Sequence, residues 1–229
     1  MATKKSIGIK DLMERKYVPG VLPEIWMDHL GHTLTKKFQM TVTGDSSQGK
    51  TMYVMLLMKV IAEHLGRVSY NSVEQGFSKT LQNNVMLADL TSLAGKVQFH
   101  DHLSFDQMKE KLLNKHFRCN YWITDSQDFM EYTFKQYKEI KEMPKRKHLS
   151  QITICQSDGG PKPKSTDGKA IRFDADLKVH VKDFVAYNRG RFGETKPFII
   201  WKEGHIKAMK EQGIISPVYG ELQNNLFSN

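Results

Sequence analysis

Between two apolar runs, FQMTVT and MYVMLLMKVIAEHLG, lies the octet Gly44-Asp45-Ser46-Ser47-Gln48-Gly49-Lys50-Thr51. It fits G-x-x-x-x-G-K-[ST], and its flanks read as the strand and helix that a phosphate-binding P-loop requires. Glycines let the backbone curl until its N–H groups face phosphate oxygens. The helix N-terminus adds the positive end of its dipole. Lys50 is placed to reach β and γ phosphates, and the Thr51 hydroxyl to ligate Mg²⁺. Residues 44–52, through Met52, are the expected nucleotide contact. The alternative is a glycine turn matching by chance, which has no reason to fall between a strand and a helix.

The length of 229 residues suits one α/β domain with a sizeable core. Hydrophobic residues make up 39% and charged residues 26%, which excludes a disordered chain. The longest apolar run is broken by Lys59 and is too short to span a bilayer. MATKKSIGIKDLMERK lacks the apolar segment of a secretion signal. The two cysteines, Cys119 and Cys155, sit in apolar stretches and read as core thiols. Together these features point to the cytoplasm and to no membrane partner.

Strands are expected at 37–43, 67–72, 96–100, 119–126 and 150–157. Helices are expected at 50–65, 75–88, 104–117 and 127–142, with Ser104 and Gln107 forming a capping box. Residues 1–35 read as an irregular lead-in, 36–201 as the core, and 202–229 as a closing helix and tail. Strands near 177–187 and 196–201 follow a polar loop. Alternating strands and helices imply a mostly parallel sheet with helices on both faces. The late strands suggest an antiparallel extension at one edge.

Asp125 ends the apolar strand NYWIT. Ligands of parallel sheets bind beyond the carboxyl ends of strands, where such a carboxylate can hold Mg²⁺. It could equally cap the helix that follows. Glu74 stands after the second strand. By itself it fits either a base that orients the attacking water or an acid favoured by a helix dipole.

The series GDSSQGKT, VSYNSVEQG, YWITDSQ, ITICQSDGG and NRGRFGET resembles the RecA-like ATPase core, nearest the branch of RadA and the DnaB-type helicases. The resemblance covers about residues 25–201. It implies a RecA-like P-loop NTPase with ATP and Mg²⁺ as ligands, a catalytic Glu74 and a metal-holding Asp125. It places Gln156 as the γ-phosphate sensor, and a glutamine amide can both donate and accept there. RGRFG resembles the KNRFG motif of RadA, so Arg191, or Arg189 at the lysine position, would reach a neighbouring subunit's nucleotide. A basic hairpin tip or a DNA contact is the other reading of these two arginines. The chain departs from the family in the loop interior, where Asp45, Ser46, Ser47 and Gln48 replace proline and glycine. It departs again at Gly190, where asparagine is usual.

The formal net charge is +9, with lysine and arginine gathered at 4–16, 135–147 and 162–172. Such an excess favours a polyanion, nucleic acid first, although a solvated surface would look the same. In RecA-like proteins the segment after the sensor strand faces the DNA. Here residues 157–170 carry Lys162, Lys164 and Lys169, suited to phosphate contacts with single-stranded DNA. The reading is an ATPase that acts on DNA as a homo-oligomeric ring or filament. A nucleotide-gated interaction protein with slow hydrolysis is the alternative. A small-molecule kinase ranks lower, because only Arg118 and Arg146 lie between the P-loop and residue 171. Tyr219, Leu222 and Phe227 give the tail a means of docking on a neighbour.

Overall fold

Strand-forming stretches rich in Val, Ile, Tyr and Thr are spaced by helical ones, and short connections let each strand pair in parallel with another. The structure, a computed structural model, describes residues 6–213. The tail aromatics Tyr219 and Phe227, with Leu222, lie outside the described residues.

Two helices lead in: α1 (Ile9–Met13) and α2 (Glu24–Leu30). Then come β1 (Gln39–Gly44), α3 (Lys50–His64), β2 (Val68–Ser72), α4 (Lys79–Leu87), β3 (Val97–Asp101) and α5 (Phe105–Leu113). They are followed by β4 (Tyr121–Asp125), α6 (Gln127–Met130), α7 (Phe134–Lys141) and β5 (Ser150–Gln156). The chain continues through α8 (Thr166–Asp174), β6 (Leu177–Lys182), β7 (Val185–Asn188), β8 (Phe198–Ile199) and α9 (Lys202–Glu211). One eight-stranded sheet results, in the order β3-β2-β4-β5-β1-β6-β7-β8. Strands β1 to β6 run parallel, while β7 pairs antiparallel with both β6 and β8. The antiparallel edge is where the late strands predicted it.

Each sheet face has its own core. Leu30, Val42, Tyr53, Ile61, Tyr70 and Ile123 belong to one cluster, and Met108, Leu112, Trp122, Tyr137, Ile140 and Ile171 to the other. Ile123 and Trp122 are adjacent on β4 and fall into different clusters, as the two-residue period of a strand requires. α3 is apolar on nearly every side, as a helix wedged between the sheet and its neighbours must be.

Three elements differ from the sequence expectation. The lead-in is partly helical, and α2 buries Trp26, His29 and Leu30. The helix expected over 127–142 is two helices, broken at Glu131 (φ 52°) and restarted by a second capping box, Thr133 with Gln136. The polar loop expected after β5 ends early: Ser165 accepts from the Gly168 N–H and starts α8. Lys169 therefore lies on a helix. The capping box at Ser104 and Gln107 is present as expected. Among the described residues, no helix is long and apolar enough to cross a membrane.

Candidate nucleotide site

β1 and β5 are paired so that Gly44 lies beside Gln156, and both strands end at the same edge of the sheet. The P-loop turns there. A Cβ on Gly44 would stand 2.3 Å from the Val181 carbonyl oxygen, so only glycine allows this close approach. Gly49 has φ 98° and sits against Phe184, which fixes the entry into α3.

The loop is tied on both flanks. The Asp45 carboxylate accepts from the Ser157 hydroxyl at 2.6 Å and the Gly159 N–H at 3.1 Å. Those two bonds, the hydroxyl's foremost, hold its carboxyl below the usual range. On the other side the Gln48 side chain accepts from the Asp183 N–H at 2.6 Å, and the Gln48 carbonyl from the Phe184 N–H at 3.3 Å. Ser47 has φ 62° at the crest, with Ser46 exposed before it. Lys50 turns back on the loop and donates to the Asp45 carbonyl at 2.6 Å. Burial lowers its ammonium pKa, against the raising charges of Glu74, Asp125, Asp45 and Asp128.

Asp125 is buried at the end of β4. Tyr70 of β2, also buried, donates its hydroxyl to Asp125 Oδ2, and the Thr51 side chain bonds to the same carboxylate. Burial pushes the Asp125 carboxyl up to about 6, the Tyr70 bond opposes it, and the Glu74 charge adds to the rise. The cap of α6 is Ser126, so Asp125 does not serve as the helix cap. Glu74 follows β2 with an exposed side chain, and its N–H donates to the Asp125 carbonyl at 3.0 Å. Gln156 is half-buried. Its N–H donates to Asp128 Oδ2 at 2.7 Å, and its carbonyl accepts from the Lys164 N–H.

Lys50, Thr51, Asp125, Glu74 and Gln156 thus meet at one edge. Lys162 and Lys164 are exposed near it, on a segment closed by the Ser157–Pro163 bridge, and Lys169 is exposed one turn into α8. Arg189 and Arg191 are not brought there. β7 descends to the opposite edge, where Arg191 pairs with Asp176 at 3.5 Å and both lie beside the start of β6. With Asp176 bonded to Gln39 and the P-loop beginning at Gly44, the separation is about 17 Å along β1.

Sequence reasoning missed Tyr70, whose position inside an apolar strand gave no sign of its partner. It also missed a groove of about 890 Å³ along α3 that opens beside the P-loop, with Gly49, Met52, Phe184 and Trp201 at that end. Trp201 is half exposed and meets Phe184 edge-on at 5.0 Å.

Oxygen donors that already converge, Thr51 on Asp125, fit a hard cation such as Mg²⁺, which keeps several waters and shares phosphate oxygens. Among the described residues no cluster of three or more His, Cys, Asp or Glu forms a self-sufficient metal cage. Such a cation would therefore depend on the nucleotide for further ligands.

The solved ATPase domain of a DnaB-type helicase is similar in structure, with a TM-score of 0.54 over 82% of this chain and 90% of that one, at 12% identity. The chain has a RecA-like P-loop NTPase fold. No family model matches it, and no curated protein matches it in sequence.

Proposed function

We propose that the protein is a Mg²⁺-dependent ATPase of the RadA and DnaB-type branch, working in the cytoplasm on DNA as a ring or filament. The observation that carries the reading is the convergence of Lys50, Thr51, Asp125 and Glu74 at the carboxyl edge of one parallel sheet.

Loop amides of residues 45–50 and the Lys50 ammonium bind the phosphates, and Met52, Phe184 and Trp201 give the base an apolar wall. Thr51 and Asp125 hold Mg²⁺, which when bound neutralises charge on the β and γ phosphates. Tyr70 keeps Asp125 oriented. Glu74 accepts the proton of the attacking water, and Gln156 contacts the γ-phosphate. Arg191 or Arg189 completes the site of a neighbouring subunit, since both lie far from their own P-loop. Assembly also has material to bury: Ile9, Leu12 and Met13 form an apolar i, i+3, i+4 face on α1 and are exposed. Lys162, Lys164 and Lys169 contact single-stranded DNA.

The test is ATP hydrolysis with Mg²⁺ across protein concentrations, with and without DNA, beside Glu74→Gln. Activity that rises with concentration and DNA and is lost in the variant is the expected result. Tight binding with slow, DNA-indifferent hydrolysis would instead establish a nucleotide-gated interaction protein. The distance of both arginines from their own P-loop favours that second reading for an isolated chain. A kinase lid is not supported: Arg146 donates to the carbonyls of Leu112, Asn114 and Phe117, and Arg118 lies at the same far edge.

A further inference from the structure

The two edges of the sheet carry opposite charge. Connections from strand to helix, at the nucleotide edge, hold Asp45, Glu74, Asp125, Asp128 and Asp158. Connections from helix to strand, at the other edge, are basic. Lys96 immediately precedes β3, Arg67 precedes β2, Arg118 lies three residues before β4, Lys147 three before β5, and Lys36 three before β1. In the sheet these strands are neighbours in the order β3-β2-β4-β5-β1. Parallel pairing in register, with Val68 beside both Val97 and Tyr121, therefore lines up cations that are scattered in sequence. The row crosses four inter-strand steps, about 19 Å.

All five side chains are exposed, and none has a carboxylate partner among the described residues. The carboxylates in the same connections are occupied: Asp89 by Lys59 at 2.8 Å, Glu142 by Lys138 at 3.9 Å and Asp176 by Arg191 at 3.5 Å. At the β3 end the row closes into a pocket of about 410 Å³ lined by Arg67, Lys96, His116 and Arg118, with half-buried Phe117 in its wall.

We infer that this amino edge is a nucleic-acid-binding face, distinct from the lysines that follow β5. Unpaired cations in a line match a phosphodiester backbone, and an aromatic ring among them provides a surface for a base. The carboxyl edge is a poorer seat for a polyanion, because its acids and the bound nucleotide would both repel one. The inference rests on the proposed nucleic-acid partner but assigns it to another surface.

The experiment is fluorescence anisotropy of a labelled oligo(dT) 30-mer and a duplex of equal length across a salt series. It compares the full chain, Lys96→Gln/Arg118→Gln/Lys147→Gln, and Lys162→Gln/Lys164→Gln. The edge variant is expected to bind roughly tenfold or more weakly. Its log–log salt slope for the single strand should be shallower by about 2, for three lost phosphate contacts. DNA-independent ATP hydrolysis should be unchanged. Edge-variant binding equal to the full chain's, with the loss confined to the Lys162 variant, would overturn this inference and leave the DNA reading intact. Failure of the full chain to bind either probe would sink both. Binding to anionic vesicles alone, lost in the edge variant, would replace nucleic acid with a lipid surface. If the triple variant does not fold, Lys96→Glu alone must still weaken binding for the inference to stand.

Discussion

Tyr70 donates its buried hydroxyl to Asp125, two residues further along the neighbouring register, so a tyrosine on β2 orients the carboxylate that ends β4. Removing the hydroxyl leaves one Asp125 oxygen buried without that donor. Tyr70→Phe should weaken Mg²⁺-dependent nucleotide binding about fivefold to tenfold, the scale of one hydrogen bond to a charged group. Isothermal titration with and without Mg²⁺ checks it. A loss that is equal without the metal would contradict the positioning role.

Glu74→Gln should reduce hydrolysis by about 10²–10⁴ while nucleotide affinity stays within a fewfold, because the side chain is exposed and serves no packing. Equilibrium binding of a fluorescent nucleotide, measured beside turnover, separates the two effects.

Mixing tests the remote arginines. Glu74→Gln and Arg191→Ala subunits are each expected to be inactive, yet an equimolar mixture should regain about a quarter of wild-type activity if two-subunit interfaces form at random, since one in four then has both groups intact. Activity of the mixture no greater than that of its parts would rule out a trans role for Arg191.

His29 gives a pH-dependent stability. Its Nδ1 donates to the Lys196 carbonyl at 2.9 Å and its Nε2 accepts from the Tyr53 hydroxyl at 2.9 Å, so the buried ring is neutral. Burial lowers its pKa to about 4. The unfolded chain takes up a proton near 6.5 that the folded one refuses. The contribution is therefore complete above pH 6.5 and lost as pH falls toward 4. Urea unfolding should show about 2 kcal/mol lost between pH 7 and pH 5, and His29→Gln should flatten that dependence.

Asp45→Ala should free the segment after β5. The Gly159 amide is held by that carboxylate, so its hydrogen exchange should accelerate about tenfold or more, with core amides unaffected. Unchanged exchange at Gly159 would show that the segment is held by other contacts.

Patterns with strong local cause were readable in the sequence. The strand–loop–helix of the P-loop, the Ser104 capping box and the strand ending at Asp125 each depend on neighbours in the chain. The break at Glu131 and the hairpin at Asp183 and Phe184 place non-glycine residues at positive φ (52°, 50° and 59°), and tertiary contacts hold them there against local preference. α8 was hidden by Gly168, a poor helix former whose absent side chain lets Pro163, Ser165 and Gln127 approach. α2 was hidden because its helical face is short and bounded by Pro23 and Gly31. At the site, residue types marked Lys50, Thr51 and Asp125. Tyr70 required the register of β2 against β4, and the remoteness of Arg191 required the direction of β7.

The phosphate loop is braced from both sides, by Asp45 through Ser157 and Gly159 and by Gln48 through Asp183 and Phe184. Its shape is set before any ligand arrives, so little ordering entropy opposes capture. A receptor already in its final form cannot report occupancy by folding. News of a bound or spent nucleotide must leave as a shift of the braces themselves, toward the lysine-bearing segment on one flank and the outer hairpin on the other.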